Sequence, residues 1–125
     1  MFRISDIIWN RACEGGGDAP RPGDRHLASL LLYHGAAMNG GMFHATECLS
    51  VLELQKAKDG YAYLGLTEVV ALIGRTEGIL KSTEDLDDYE TEFVFAYGRV
   101  ADDSIVNAKF LQKFVECAGD FAPVH

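Results

Sequence analysis

The sequence predicts an all-α protein, one compact domain over residues 1–125 with about six helices around one core. Three observations carry this reading. Apolar residues recur at intervals of three and four along nearly the whole chain, which places them on one face of a helix. No segment sustains the period-two alternation of β-branched residues that strands require. The chain has 125 residues, 48% apolar and 24% charged, a balance that supports a single core without disulfide or metal staples.

Each element follows from its own residues. Ile4, Ile7, Ile8 and Ala12 sit at helical spacing and place a first helix at about residues 4–13. Gly15–Gly17 and Pro20-Arg21-Pro22-Gly23 stop it and predict a flexible loop over 14–23. Asp24 reads as the cap of a second helix striped by Leu27, Leu30, Leu31, His34 and Met38. Asn39-Gly40-Gly41 ends that helix in a tight turn that needs a glycine at positive φ. Ala45, Cys48, Leu49 and Leu52 predict a third helix, with Asp59-Gly60 as the turn beyond it. A fourth carries Leu66, Val69, Val70, Ile73 and Leu80. Its Gly74 and Gly78, four apart, either allow a close helix crossing or mark a break near Gly74. Leu86, Tyr89, Phe93, Tyr97 and Val100 give a fifth. Asp103 or Ser104 reads as the cap of a last helix, with Val106, Phe110, Leu111, Phe114, Val115 and Ala118 inward and Pro123 past its end.

Charge narrows the function classes. Nineteen acids against eleven bases give a net charge of −8, which argues against direct binding to nucleic acid or to anionic membranes. The excess is uneven: residues 1–62 carry a net −1 and residues 63–125 a net −7. Within Glu77–Asp103 nine acids, Glu84 among them, face only Lys81 and Arg99. Such a field keeps a protein soluble or attracts a basic partner. Three cysteines without a CxxC exclude a disulfide framework and a zinc ribbon and fit a reducing compartment. Met1–Ile8 lacks a signal-peptide apolar core, and Leu27–Met38 is too short to span a bilayer. The expectation is a cytoplasmic protein.

Motifs for catalysis are weak. The chain contains no GxSxG, Walker A, GxGxxG, HExxH or EF-hand pattern, and nothing in it calls for a cofactor. His34, His44 and Glu47 could contribute to a metal site between helices, but further convergent carboxylates are missing from the pattern. His34 on an apolar stripe reads more simply as a hydrogen-bonded core histidine. Cys48 with His44 one turn earlier has the spacing of a nucleophile and base, without a third group to orient the histidine. The acids divide as well. Asp85, Asp87, Asp88, Asp102 and Asp103 stand at helix starts, where carboxylates complement the dipole. Glu90 and Glu92 lie beyond that effect and point to water with Asp87 and Asp88.

One resemblance adds to this. A helix ending in Asn39-Gly40-Gly41, then Phe43 and a further short helix, resembles the small acidic DNA-mimic protein family, formerly a family of unknown function. Ala71-Leu72-Ile73-Gly74 and Leu86-Asp87-Asp88-Tyr89-Glu90 are similar to two further steps of that family. The likeness covers about residues 27–100. It departs where Met42 takes the usual aromatic position and where Gly35-Ala36-Ala37 replaces acidic or polar residues. The resemblance implies a dimeric protein whose carboxylates imitate DNA phosphates on the binding face of a transcription factor. The surrogates here would be Asp85, Asp87, Asp88, Glu90, Glu92, Asp102 and Asp103, with Asn39, Gly40, Gly41 and Phe43 as scaffold. The alternatives are an immunity-type partner of a basic toxin, and a small enzyme or metal protein built on His34, His44, Glu47 and Cys48.

Overall fold

Pro22 opens the longest helix of the chain. Its ring presets the helical φ and its missing N–H is no loss in a first turn. The computed structural model describes residues 3–82 and 85–124; Glu84 lies outside them. Among these residues there are seven α-helices: α1 (Ile4–Cys13), α2 (Pro22–Gly40), α3 (Met42–Cys48), α4 (Val51–Tyr63), α5 (Thr67–Lys81), α6 (Asp87–Ala101) and α7 (Asp103–Glu116). A 3-10 turn, Ala118–Asp120, follows. No strand is present among the described residues, and the all-helical single domain stands as predicted. Helix α2 is the central element and packs against α1, α3, α4 and the 3-10 turn. Helix α5 bridges α3, α4 and α6, and α6 leads to α7. Leu27, Leu30, Tyr33, Tyr61, Val69, Ile73, Phe93, Val106 and Phe110 are almost wholly enclosed and form the core.

The helix boundaries differ from the expected ones for local physical reasons. Asp24 is not the capping residue of α2 but its third residue, and its carboxylate accepts the Arg21 N–H at 2.9 Å. The loop is therefore 14–21, and its Gly16 is buried. The single third helix is two. Ser50 Oγ accepts the Glu53 N–H at 3.1 Å, and the Glu53 carboxylate accepts the Ser50 N–H at 2.9 Å. This capping box starts a new helix where the apolar spacing alone suggested continuation. Asp102, rather than Asp103 or Ser104, caps α7, accepting the Ile105 N–H at 2.8 Å. Ile4, Ile7, Met38, Cys48, Leu52, Val115 and Ala118, expected inward, are exposed, because no described residue covers those faces of their helices and of the 3-10 turn.

Two glycines carry positional meaning. Gly41 has φ +91° and turns the chain from α2 into α3, as expected of the Asn-Gly-Gly step. The close helix crossing, however, is at Gly60. Asp59-Gly60 is no turn but lies inside α4, where a Cβ on Gly60 would collide with the His26 carbonyl oxygen of α2. Gly74 and Gly78 face open space, and α5 runs unbroken through both.

Candidate functional site

The acidic segment divides into residues with work inside the fold and residues without. Asp85 Oδ1 accepts the Asp87 N–H at 3.0 Å and shapes the entry to α6. Glu92 bonds Arg75 of α5 at 3.2 Å, and that guanidinium lies 4.8 Å over the Phe93 ring. Asp102 is the cap of α7. Asp103, 78% exposed along its side chain, nevertheless holds His34 Nε2 at 2.6 Å. Asp87, Asp88 and Glu90 are exposed and make no ion pair among the described residues. One turn further along the same outer face of α6 stand Val94 and Phe95, 58% and 68% exposed.

His34 is the core histidine of a four-residue chain. Its Nδ1 lies 2.7 Å from Tyr97 Oη, and Tyr97 Oη lies 2.6 Å from Tyr61 Oη. His34, Tyr97 and Tyr61 are all buried. A carboxylate can only accept, so Nε2 carries the proton given to Asp103. With a neutral ring, every donor then has an acceptor: Tyr61 gives to Tyr97, Tyr97 to Nδ1, and Nε2–H to Asp103. An imidazolium would donate from both nitrogens, and one of the two tyrosine protons would then have no acceptor within the chain of four. The hydrogen-bond pattern is complete with the proton on Nε2 and with Nδ1 accepting from Tyr97. Burial holds the Tyr61 and Tyr97 hydroxyls well above their ordinary pKa, and burial pushes Tyr33 up to about 12. Beside this chain Tyr33 Oη, Thr46 and Thr76 form a second buried hydroxyl cluster, with contacts of 3.1 and 2.8 Å. The five surface cavities along α2, α4, α5 and the loops are lined by other residues than His34, Tyr61 and Tyr97.

Comparison of the chain with protein-family models, with curated proteins and with solved structures finds no match.

The site geometry separates the four residues of the enzyme or metal alternative. His34 is committed to Tyr97 and Asp103 in the core, whereas His44, Glu47 and Cys48 are exposed on α3. Cys48 Sγ does lie 3.5 Å from the His44 ring, as their spacing suggested. Gly40 leaves the space for that ring, since a Cβ there would run into it. No group of three or more metal-ligating side chains forms among the described residues. Phe43 is buried with its ring edge-on to Phe93 at 5.0 Å, so the Asn-Gly-Gly turn is tied to α6. No helix of the described residues is long and apolar enough to cross a membrane.

The sequence reading missed the buried ion pair under the C-terminal segment. Asp24, 1% exposed, accepts from Arg11 at 2.8 Å, from Arg21 N–H at 2.9 Å and from Ala122 N–H at 2.8 Å. Arg11 also donates to the Ala122 carbonyl at 3.0 Å. Only the Arg21 contact is local, and it was the one legible part.

Proposed function

We propose that this chain is an acidic protein-binding module that presents the outer face of α6 to a basic protein, in the manner of a DNA mimic. One observation carries the reading. Asp87, Asp88 and Glu90 are exposed, free of ion pairs among the described residues, and adjacent to the exposed Val94 and Phe95. A polar rim around an apolar centre is the usual anatomy of a protein interface, and carboxylates select a cationic counterpart. Asp102 and Asp103 have a smaller part in it than expected, because the first caps α7 and the second holds His34. Glu92 shares its carboxylate with Arg75. A DNA-binding protein and a basic toxin present the same chemistry to this face.

The test replaces Asp87, Asp88, Glu90 and Glu92 together by Asn or Gln. None is in the core, so helix content and melting temperature should stay close to those of the parent chain. Capture of basic proteins from native lysate should be lost, and the parent's capture should fall steeply with salt and compete with duplex DNA. Retrieval of the same proteins by the quadruple variant, with the same salt profile, would show the acidic face to be only solvated surface.

A further inference from the structure

A groove of a different character lies along α2. A cavity of about 800 Å³ lies along the outer face of α2, floored by Ala28, Leu32, Gly35 and Ala36 and walled by Cys13 and His44. A second, of about 260 Å³, adjoins it at the start of α2 and is lined by Arg25, His26, Lys56 and Asp59. The two share Gly15, Ala28 and Ser29, so they form one trough. From Arg25 to Asn39 it follows α2 for roughly 21 Å at the helical rise of 1.5 Å per residue. The trough is open to solvent along its length and mostly apolar, a surface against which a linear ligand can lie.

Charge along the trough is polarised. No Asp, Glu, Lys or Arg occurs between Arg25 and Glu47, so the long arm is neutral in a chain of net charge −8. At the short arm, Arg25 and Lys56 enter no ion pair among the described residues. The acid there, Asp59, accepts a hydrogen bond from Gln55 at 3.0 Å instead. The small floor residues let a linear chain lie against the helix, with half-exposed Leu32 as its apolar contact. We infer that this trough binds a fatty carboxylate, its chain along Ala28–Ala36 and its headgroup between Arg25 and Lys56. A nucleic acid does not suit the neutral arm, and a basic peptide does not suit the cationic one. The inference is independent of the α6 face.

Calorimetric titration with octanoate, decanoate and dodecanoate, each below its micelle concentration, tests this. Each added methylene should tighten binding twofold to fourfold, as apolar burial requires. Dodecyltrimethylammonium, of equal chain length and opposite charge, should bind at least tenfold more weakly than dodecanoate. The double variant Arg25→Gln/Lys56→Gln should weaken dodecanoate fivefold or more, without altering the melting temperature. Gly35→Leu should abolish binding. A Cβ at Gly35 meets nothing within 4 Å, so the fold accommodates leucine while the trough is filled. Affinity independent of chain length, equal binding of the cationic surfactant, or undiminished binding by Gly35→Leu would overturn the proposal. So would sedimentation showing a dimer that Gly35→Leu dissociates while dodecanoate fails to bind, since a second copy would then occupy the trough.

Discussion

Helix α2 buries two polar side chains ten residues apart, and they are stabilised in opposite ways. Asp24 sits near its first turn with three donors, the Arg11 guanidinium and two backbone N–H groups. None of these can turn round to accept. His34 sits two to three turns later in a chain with Tyr97 and Tyr61, whose hydroxyls can each donate or accept. The first cluster depends on a charge being present. The second depends on every proton pointing the same way. The first joins the two ends of the chain, since Asp24 and Ala122 are 98 residues apart. The second joins α2 to α4, α6 and α7 through the middle of the core. Their failure modes should differ accordingly.

Alkali should break the tyrosine side first, and completely. The folded-state pKa of Tyr33, Tyr61 and Tyr97 is raised above the ordinary value of 10.0 because burial disfavours the phenolate. The native state therefore keeps protons that the unfolded chain releases. Their contribution to stability is whole below pH 10 and is lost as pH rises towards and through the folded values, about 12 for Tyr33. Tyrosinate absorbance at 295 nm from these residues should rise only together with loss of the helical circular-dichroism signal. Ionisation of all three at pH 10 with helix content intact would contradict their sealed environment. The Asp24 cluster contains no hydroxyl and should play no part in this transition.

Asp24→Ala is the largest single-residue effect expected. It leaves a guanidinium and two N–H groups without their shared acceptor, a loss of about 3–5 kcal/mol for a buried pair broken on one side. Urea denaturation measures it. Truncation after Ala118 should cost at least as much, because it removes the Ala122 N–H, the carbonyl that Arg11 holds and the buried Phe121 ring. Tyr97→Phe should cost less, about 1–3 kcal/mol, by stranding the Tyr61 proton and His34 Nδ1 together. Tyr61→Phe removes only the terminal donor and should cost less again. In the double variant the two effects should fall short of their sum, because both break one chain.

Much of this fold was legible in the sequence because helix faces are local. The apolar stripes at spacing three and four located every helix except α4, which they merged with α3, and the Asn39-Gly40-Gly41 turn followed from backbone chemistry. The Ser50–Glu53 capping box is equally local, and its Ser-x-x-Glu pattern marks the start of α4 in the sequence. Which glycine sits at a crossing was not legible. Gly60 and Gly74 look alike in sequence, and only the approach of α2 to α4 distinguishes them. Distance in the chain hid the polar clusters in the same way. His34 was readable as a satisfied core histidine, but Asp103, 69 residues on, carried the pattern of an ordinary first-turn carboxylate.

Asp103→Asn gives the smallest expected effect and the sharpest reading of the comparison. The side chain is largely exposed, and an amide oxygen can accept the His34 Nε2–H as the carboxylate does. If the ring is neutral, Asn at this position keeps the bond. Stability should then change by no more than about 0.5 kcal/mol at neutral pH, the range of an ordinary surface substitution. The Nε2–H tautomer, read from ¹⁵N shifts of the imidazole, should be unchanged. A cationic ring would behave otherwise, since the substitution would remove its counter-charge and destabilise the fold by more than this range. Asp24→Asn supplies the contrast, because there the amide cannot replace the charge that Arg11 faces. A small loss at residue 103 beside a large one at residue 24 would separate the cluster organised by proton direction from the one organised by charge. Equal losses at the two sites would mean that His34 is an ion-pair partner after all.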